Sequence, residues 1–157
     1  MVTGGTGLLG SHLLVELCKT EAPIRVLVKD KKSILKARKT FAYYIKDPDS
    51  YINRIEWVEG DIRDVLLMEQ MLENVSRVYH CAGFVSFDPG NKKRVLEVNS
   101  KGTANIVNAT LNKRNIRFCH VSSIASLGRD KKGGFTDESD SWKQSSKSSV
   151  YSISKFE

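Results

Sequence analysis

Nine residues near the N-terminus, Val2-Thr3-Gly4-Gly5-Thr6-Gly7-Leu8-Leu9-Gly10, constrain this chain more than any other stretch. A β-type beginning runs into four glycines and then into a segment with helical spacing. Gly5-x-Gly7-x-x-Gly10 fits the fingerprint of a dinucleotide-binding turn, as does the overlapping Gly4-x-x-Gly7-x-x-Gly10. The early glycines permit a tight turn and close approach of phosphate, and Gly10 lets the helix pack against the strand. Free N–H groups at the helix start, together with its dipole, favour a diphosphate there. Leu9, Leu13, Leu14 and Leu17 read as the apolar face of this helix, which Thr20 to Pro23 ends. Only Met1 to Thr3 remain for the strand that feeds the turn, where about five or six residues are usual. The N-terminus is therefore expected to be clipped or wrongly started.

Ile24 to Val28 is the second strand, and its end ordinarily decides the cofactor. An acidic residue there binds the ribose 2′-OH of NAD, while a basic one accommodates the 2′-phosphate of NADP. Lys29, backed by Lys31 and Lys32, favours NADP; Asp30 keeps NAD open. A helical segment over 33–52, broken near Asp47-Pro48-Asp49, leads to a third strand, Ile55 to Glu59. Asp61, just beyond that strand, is placed to accept a hydrogen bond from an adenine amino group, while Asp64 suits a helix N-cap. Leu66, Leu67, Met71 and Leu72 give the next helix its apolar side. Val78 to Gly83 is the fourth strand, with Ala82 and Gly83 leaving room for a ligand at its exit. His80 reads as a strand residue rather than a catalyst. Arg94 to Leu111 reads as one long helix, in which Asn99 and Gly102 are mild liabilities that invite another explanation. Ile116 to Val121 is the fifth strand, followed by Ser122-Ser123.

Five βα alternations, with connections too long for hairpins, predict an α/β fold. Its parallel, doubly wound Rossmann sheet has strand order 3-2-1-4-5 and helices on both faces. The glycine turn, Asp61, Ala82-Gly83 and Ser122-Ser123 then converge on one sheet edge. With 157 residues the chain makes a single domain able to bury a core. Its net charge of +7 comes from lysine and arginine clusters (29–32, 36–39, 92–94 and 129–132) that read as solvated faces. No nucleic-acid-reading element accompanies them. No apolar run is long enough for a membrane span and no secretory signal is visible, so a cytoplasmic location is expected. Cys18, Cys81 and Cys119 are scattered; Cys81 and Cys119 read as small buried thiols of strands, and no metal site is expected.

Tyr151 and Lys155 lie four apart, so on a helix they share a face. An ammonium so placed favours phenolate, which makes Tyr151 a usable general acid or base near neutral pH. With these residues the chain resembles the short-chain dehydrogenase/reductases. Within them it is similar to the extended branch of nucleotide-sugar epimerases and dihydroflavonol-reductase-like enzymes. The resemblance rests on Thr3 to Gly10, Gly60-Asp61-Ile62-Arg63-Asp64, His80-Cys81-Ala82-Gly83, Asn99-x-x-Gly102-Thr103, Val121-Ser122-Ser123 and Tyr151-x-x-x-Lys155. It implies that Gly4, Thr6, Gly7, Leu8, Leu9 and Gly10 cradle the pyrophosphate and that Asp61 and Ile62 flank the adenine. Cys81, Ala82 and Gly83 would line the ribose and nicotinamide side, with Lys29, Asn99 and Ser122 also at the cofactor. Asn99 would be the family's helix asparagine. Ser123, five before Gly128, would hydrogen-bond the substrate oxygen; Tyr151 would transfer the proton, and Lys155 would also hold the nicotinamide ribose.

The resemblance thus implies an NAD(P)-dependent oxidoreductase acting on a carbonyl or secondary alcohol of a small-molecule substrate. A nucleotide-sugar 4-epimerase with retained NAD and a non-catalytic NAD(P)-sensing protein are the alternatives. Sugar dehydratases of the family carry an acidic pair just after the catalytic hydroxyl residue, and Ile124-Ala125 is not one. Extended members continue for about as long again, so a substrate domain is expected to be absent from 1–157. The piece alone is expected to bind cofactor poorly. A homodimer is implied for the full-length protein.

Overall fold

The structure is a computed structural model that describes residues 1–127, 134–140, 142–145 and 148–157. Gly128 and the basic residues Arg129, Lys131 and Lys132 lie outside the described residues.

Five parallel strands form one sheet: β1 (Val2–Thr3), β2 (Arg25–Val28), β3 (Glu56–Glu59), β4 (Arg77–His80) and β5 (Arg117–His120). Their order is β3-β2-β1-β4-β5, as the βα alternation predicts. Val2 pairs with Val26 on one side and Tyr79 on the other, so a strand of two residues occupies the centre of the sheet. Parallel neighbours need a crossover, and each crossover here carries helix. The helices are α1 (Leu8–Leu17), α2 (Ile34–Ala42), α3 (Pro48–Ile52), α4 (Val65–Met71), α5 (Lys92–Leu96), α6 (Gly102–Leu111) and α7 (Val150–Phe156). A π-helical turn, Glu97–Lys101, joins α5 to α6 within one continuous helix.

Strand alternation divides the core between two faces. Val26 and Val28 join Val2, Leu14, Val15 and Phe41 beneath α1 and α2. Leu27 points the other way and joins Ile62, Met68, Met71, Val78 and Ile106 beneath α4 and α6. Burial of a strand side chain such as Val26 or Leu27 contributes about 2 kcal/mol, and a one-residue slip would turn each to the wrong face, which is what fixes the strand register.

Two apolar faces differ from the sequence expectation. In α1 the buried residues are Gly10, Ser11, Leu14 and Val15, followed by Cys18; Leu9 is 55% exposed and Leu13 and Leu17 are only half-buried. The reason lies at Gly10, where a Cβ would run into the Gly4 carbonyl oxygen. The helix approaches the sheet most closely there, and this sets the phase of the face. In α4, Leu66 is exposed while Met68, with Met71 and Leu72, is buried. Asp64 caps this helix, accepting from Leu67 N at 3.1 Å, and Asp47 caps α3 with Pro48 at its first position. The cysteines also divide differently: Cys18 is buried, Cys81 is half-buried and Cys119 is exposed on β5, which among the described residues pairs with β4 alone.

Candidate functional site

The predicted site residues follow the C-terminal ends of the strands, on one edge, except Asn99 in the π turn and Tyr151 and Lys155 on α7. Gly4 leaves β1 with φ of +69°, a conformation that glycine adopts without strain. A Cβ on it would lie 2.6 Å from the amide nitrogen of Ala82. Gly7 N donates to Gly4 O at 3.0 Å and closes the turn, with Thr6 half-exposed at its tip. Gly7 then caps α1 with no side-chain hydrogen bond. Since Ser11 N is the first amide to find an intrahelical acceptor, Gly7 O, the amides of Leu8, Leu9 and Gly10 stand ahead of the helical ladder. A Cβ on Gly7 would meet only Gly4 O, at 3.3 Å. This turn fits a diphosphate: it has donors, the positive end of a helix, and open space.

At the β2 and β3 ends, a cluster of charges surrounds Asp61. Arg63 grips both of its carboxylate oxygens, at 2.9 and 2.8 Å, and reaches Glu97 at 3.0 Å; Lys29 stands 4.0 Å away. The Arg63 hydrogen bonds hold the Asp61 carboxyl down to about 2. Ile62 turns its side chain into the core, where a Cβ on Gly102 would lie 2.6 Å from its Cγ2. Its carbonyl and that of Arg63 accept from Asn105 Nδ2 at 3.2 and 3.0 Å. Asp30 spends one carboxylate oxygen on Lys32 N, at 2.8 Å. An open depression of about 510 Å³ runs past Asp61, Val65, Lys101 and Asn105.

At the β4 exit, His80 is buried and bridges Thr3 Oγ1 at 2.6 Å and Thr103 Oγ1 at 2.9 Å, its ring stacked 5.1 Å from that of His120. Burial, aided by the nearby charges of His120 and Lys155, lowers its pKa to about 3. Ala82 N donates to Thr3 Oγ1 at 3.2 Å, which fixes the strand end beside the glycine turn. Gly83 faces open space: a Cβ there would meet only Asn99 Oδ1, at 3.7 Å. Asn99, in the π turn, accepts from Phe84 N at 2.7 Å and donates to Phe84 O at 3.0 Å and to Ser154 Oγ at 2.9 Å. The liability at Asn99 is thus explained by contacts made from a π bulge, a device frequent at functional sites, and that at Gly102 by the close approach of Ile62.

At the β5 end, Ser123 Oγ accepts from Ala125 N at 3.1 Å, and Ser122 Oγ lies 3.2 Å from Ser126 Oγ. Tyr151, half-buried, and Lys155 sit one turn apart on α7. Lys155 Nζ donates to Val121 O at 2.9 Å, one residue before the serines, and burial pulls its pKa below the usual lysine value. Sequence reasoning gave Thr103 no role beyond the motif that carries the resemblance, and left Ser154, Glu97 and Asn105 unmarked. The one signal for three of them was their polarity inside, or close to, an otherwise apolar helical pattern. Among the described residues, no group of three or more His, Cys, Asp or Glu is placed to hold a metal ion, and no helix is long and apolar enough to cross a membrane.

A parallel sheet of this order, with a glycine turn at its point of reversal, defines a Rossmann-like NAD-binding domain. The family described as "Male sterility protein" matches residues 2–156, and the chain belongs to it. It is 29% identical over 133 residues to "Sterol demethylase protein B" of Methylococcus capsulatus, covering 85% of this chain and 37% of that protein. It is 27% identical over 137 residues to human 3 beta-hydroxysteroid dehydrogenase type 7, covering 85% of this chain and 34% of that one. A solved dTDP-glucose 4,6-dehydratase from Streptomyces venezuelae, with NAD and TYD bound, superposes with a TM-score of 0.72 at 26% identity, covering 98% of this chain and 47% of that structure. The chain therefore spans little more than a third of the length of these curated relatives.

Proposed function

We propose that the protein containing this domain is an NAD(P)-dependent oxidoreductase that interconverts a carbonyl and a secondary alcohol. Tyr151, Lys155 and Ser123 act on the substrate oxygen. The reading is carried by one observation: Lys155 is anchored by its ammonium to Val121 O, beside Ser122-Ser123, one helical turn from Tyr151. The dinucleotide, when bound, supplies or accepts the hydride. Tyr151 exchanges the phenolic proton with the substrate oxygen, Ser123 orients that oxygen, and the ammonium of Lys155 favours the phenolate left behind. The turn from Gly4 to Gly10 would hold the pyrophosphate. Asp61 would mark the adenine end, and Cys81 to Gly83 the nicotinamide end.

NADP is the favoured cofactor. Lys29, Lys31 and Lys32 are exposed at the β2 end, while Asp30 is partly engaged in capping the turn that follows. A small-molecule substrate and a cytoplasmic homodimer complete the reading. A second reading, a nucleotide-sugar epimerase, is supported by the NAD held in the dehydratase relative.

The test uses the whole protein with NADPH or NADH and a panel of aldehydes, ketones and nucleotide sugars. Cofactor oxidation with one of the carbonyl compounds, lost by about 10²–10⁴-fold in Tyr151→Phe, is the expected result. Unaltered turnover by Tyr151→Phe would refute the assignment. Retained NAD with no net oxidation, and interconversion of a sugar pair, would favour the second reading.

A further inference from the structure

Ser154 is a buried polar group for which the catalytic reading has no use. It lies on α7 between Tyr151 and Lys155 and is 3% exposed. Its Oγ donates to Tyr151 O at 2.8 Å and accepts from Asn99 Nδ2 at 2.9 Å. The other Asn99 Nδ2 hydrogen goes to Phe84 O and its Oδ1 takes Phe84 N, so both amide hydrogens are committed. A hydrogen-bonded path thus runs from the β4 exit, through the π-helical turn, to the helix that carries Tyr151 and Lys155.

α7 packs against α5, the π-helical turn and the segment that follows Ser123. Its polar ties to the rest of the domain include Ser100 Oγ to Glu157, which is exposed, and Lys155 Nζ to Val121 O, which is half-buried. The Asn99–Ser154 bond is the buried one, and burial is where an unmade hydrogen bond costs most.

We propose that Ser154 is a positioning residue: its hydroxyl, clamped by Asn99, seats α7 and so places Lys155 and Tyr151 against the nicotinamide-ribose half of the dinucleotide. This rests on the role given above to Lys155. Removing the hydroxyl leaves one Asn99 hydrogen unpaired in a buried place and loosens α7. The loss falls on ligands that reach α7 and spares ligands that occupy only the adenine end.

Calorimetric titration of the whole protein with NADP and with adenosine 2′,5′-bisphosphate, which has the adenine half alone, tests this. Ser154→Ala raises the Kd for NADP about tenfold and leaves that for the bisphosphate within about twofold, the size expected for one buried hydrogen bond. Ser154→Thr, which keeps the hydroxyl, retains most of the NADP affinity. Two outcomes overturn the proposal: both affinities unchanged in Ser154→Ala, or both weakened in parallel, as general destabilisation would give. Lys155→Ala separates the layers. If it leaves the ratio of the two affinities unchanged, the role of Lys155 falls and Ser154 with it. If it changes the ratio and Ser154→Ala does not, only the Ser154 proposal fails.

Discussion

The two ends of the candidate site are built by opposite means. The glycine turn, proposed to hold the pyrophosphate, is made of backbone: Gly4 at positive φ, a cradle closed by Gly7 N to Gly4 O, and the leading amides of α1. Side chains contribute almost nothing there, and the fit is steric. The end proposed to hold the nicotinamide is made of side chains: His80 between Thr3 and Thr103, Asn99 between Phe84 and Ser154, and Lys155 on Val121. A backbone device tolerates no added atom but asks little of its neighbours. A side-chain network tolerates size and demands particular partners far away in sequence. Substitutions should therefore damage stability at the first end and function at the second.

The largest effect is expected from Tyr151→Phe in the whole protein, a loss of about 10²–10⁴-fold in kcat with Tm unchanged. A parallel loss of Tm would break the comparison by making the chemistry end structural as well. Gly4→Ala should do the reverse. Its Cβ would strike the Ala82 amide at 2.6 Å from a left-handed backbone, so unfolding by urea should show a loss of about 3 kcal/mol. His80 makes the comparison pH-dependent. Its pKa is lowered from 6.5 to about 3, so the unfolded chain takes up a proton that the folded one refuses. Stability is then independent of this group above pH 6.5 and falls, by on the order of 1 kcal/mol per pH unit, as pH drops from there toward 3. Urea titrations at pH 7 and pH 5 should show the slope, and His80→Asn should flatten it.

Gly102→Ala sets two small effects against each other. Alanine gains about 1 kcal/mol of helix propensity over glycine. The added Cβ would sit 2.6 Å from Ile62 Cγ2, and overpacking of this kind costs about 1–3 kcal/mol. The contact should win, and the variant should be less stable by about 1 kcal/mol. A more stable variant would show that Ile62 yields freely. The smallest effect belongs to the surface cluster of Arg63, Asp61 and Glu97. Arg63→Ala should barely move Tm, and what it moves should vanish in high salt. Because the Asp61 pKa is lowered from 3.8 to about 2, its share is present above pH 3.8 and is lost progressively as pH falls from there through 2.

The sequence was most legible where a single residue type has few uses. Four glycines in one turn, strands rich in valine and the alternation of elements were enough for the sheet order. The phase of α1 was not legible, because the close approach at Gly10 shifts the buried face away from Leu9. Cys119 was misplaced for a related reason: β-type residues do not announce which strand, among the described residues, pairs on one side only. At the site, Asn99 stood out as an anomaly, but its partners did not. Phe84 and Ser154 lie 15 and 55 residues away, and nothing local in Ser154 distinguishes it from the other serines around it.

The π-helical turn carries a further consequence, best put as a matter of rotational phase. Each residue advances an α-helix by about 100°, so the extra residue of a π turn offsets everything after it against everything before. In this helix the part before Lys101 aims Glu97 at Arg63 and Asn99 at Phe84, while the part after it aims Gly102 at Ile62 and Asn105 at the Arg63 carbonyl. Deleting Val98 would remove none of these side-chain hydrogen-bonding groups, yet it would swing one half out of step with the other. The spacing of this segment is thus as strict a requirement as the identity of its residues, and length variation should be far less tolerated here than in the connections at the opposite end of the sheet.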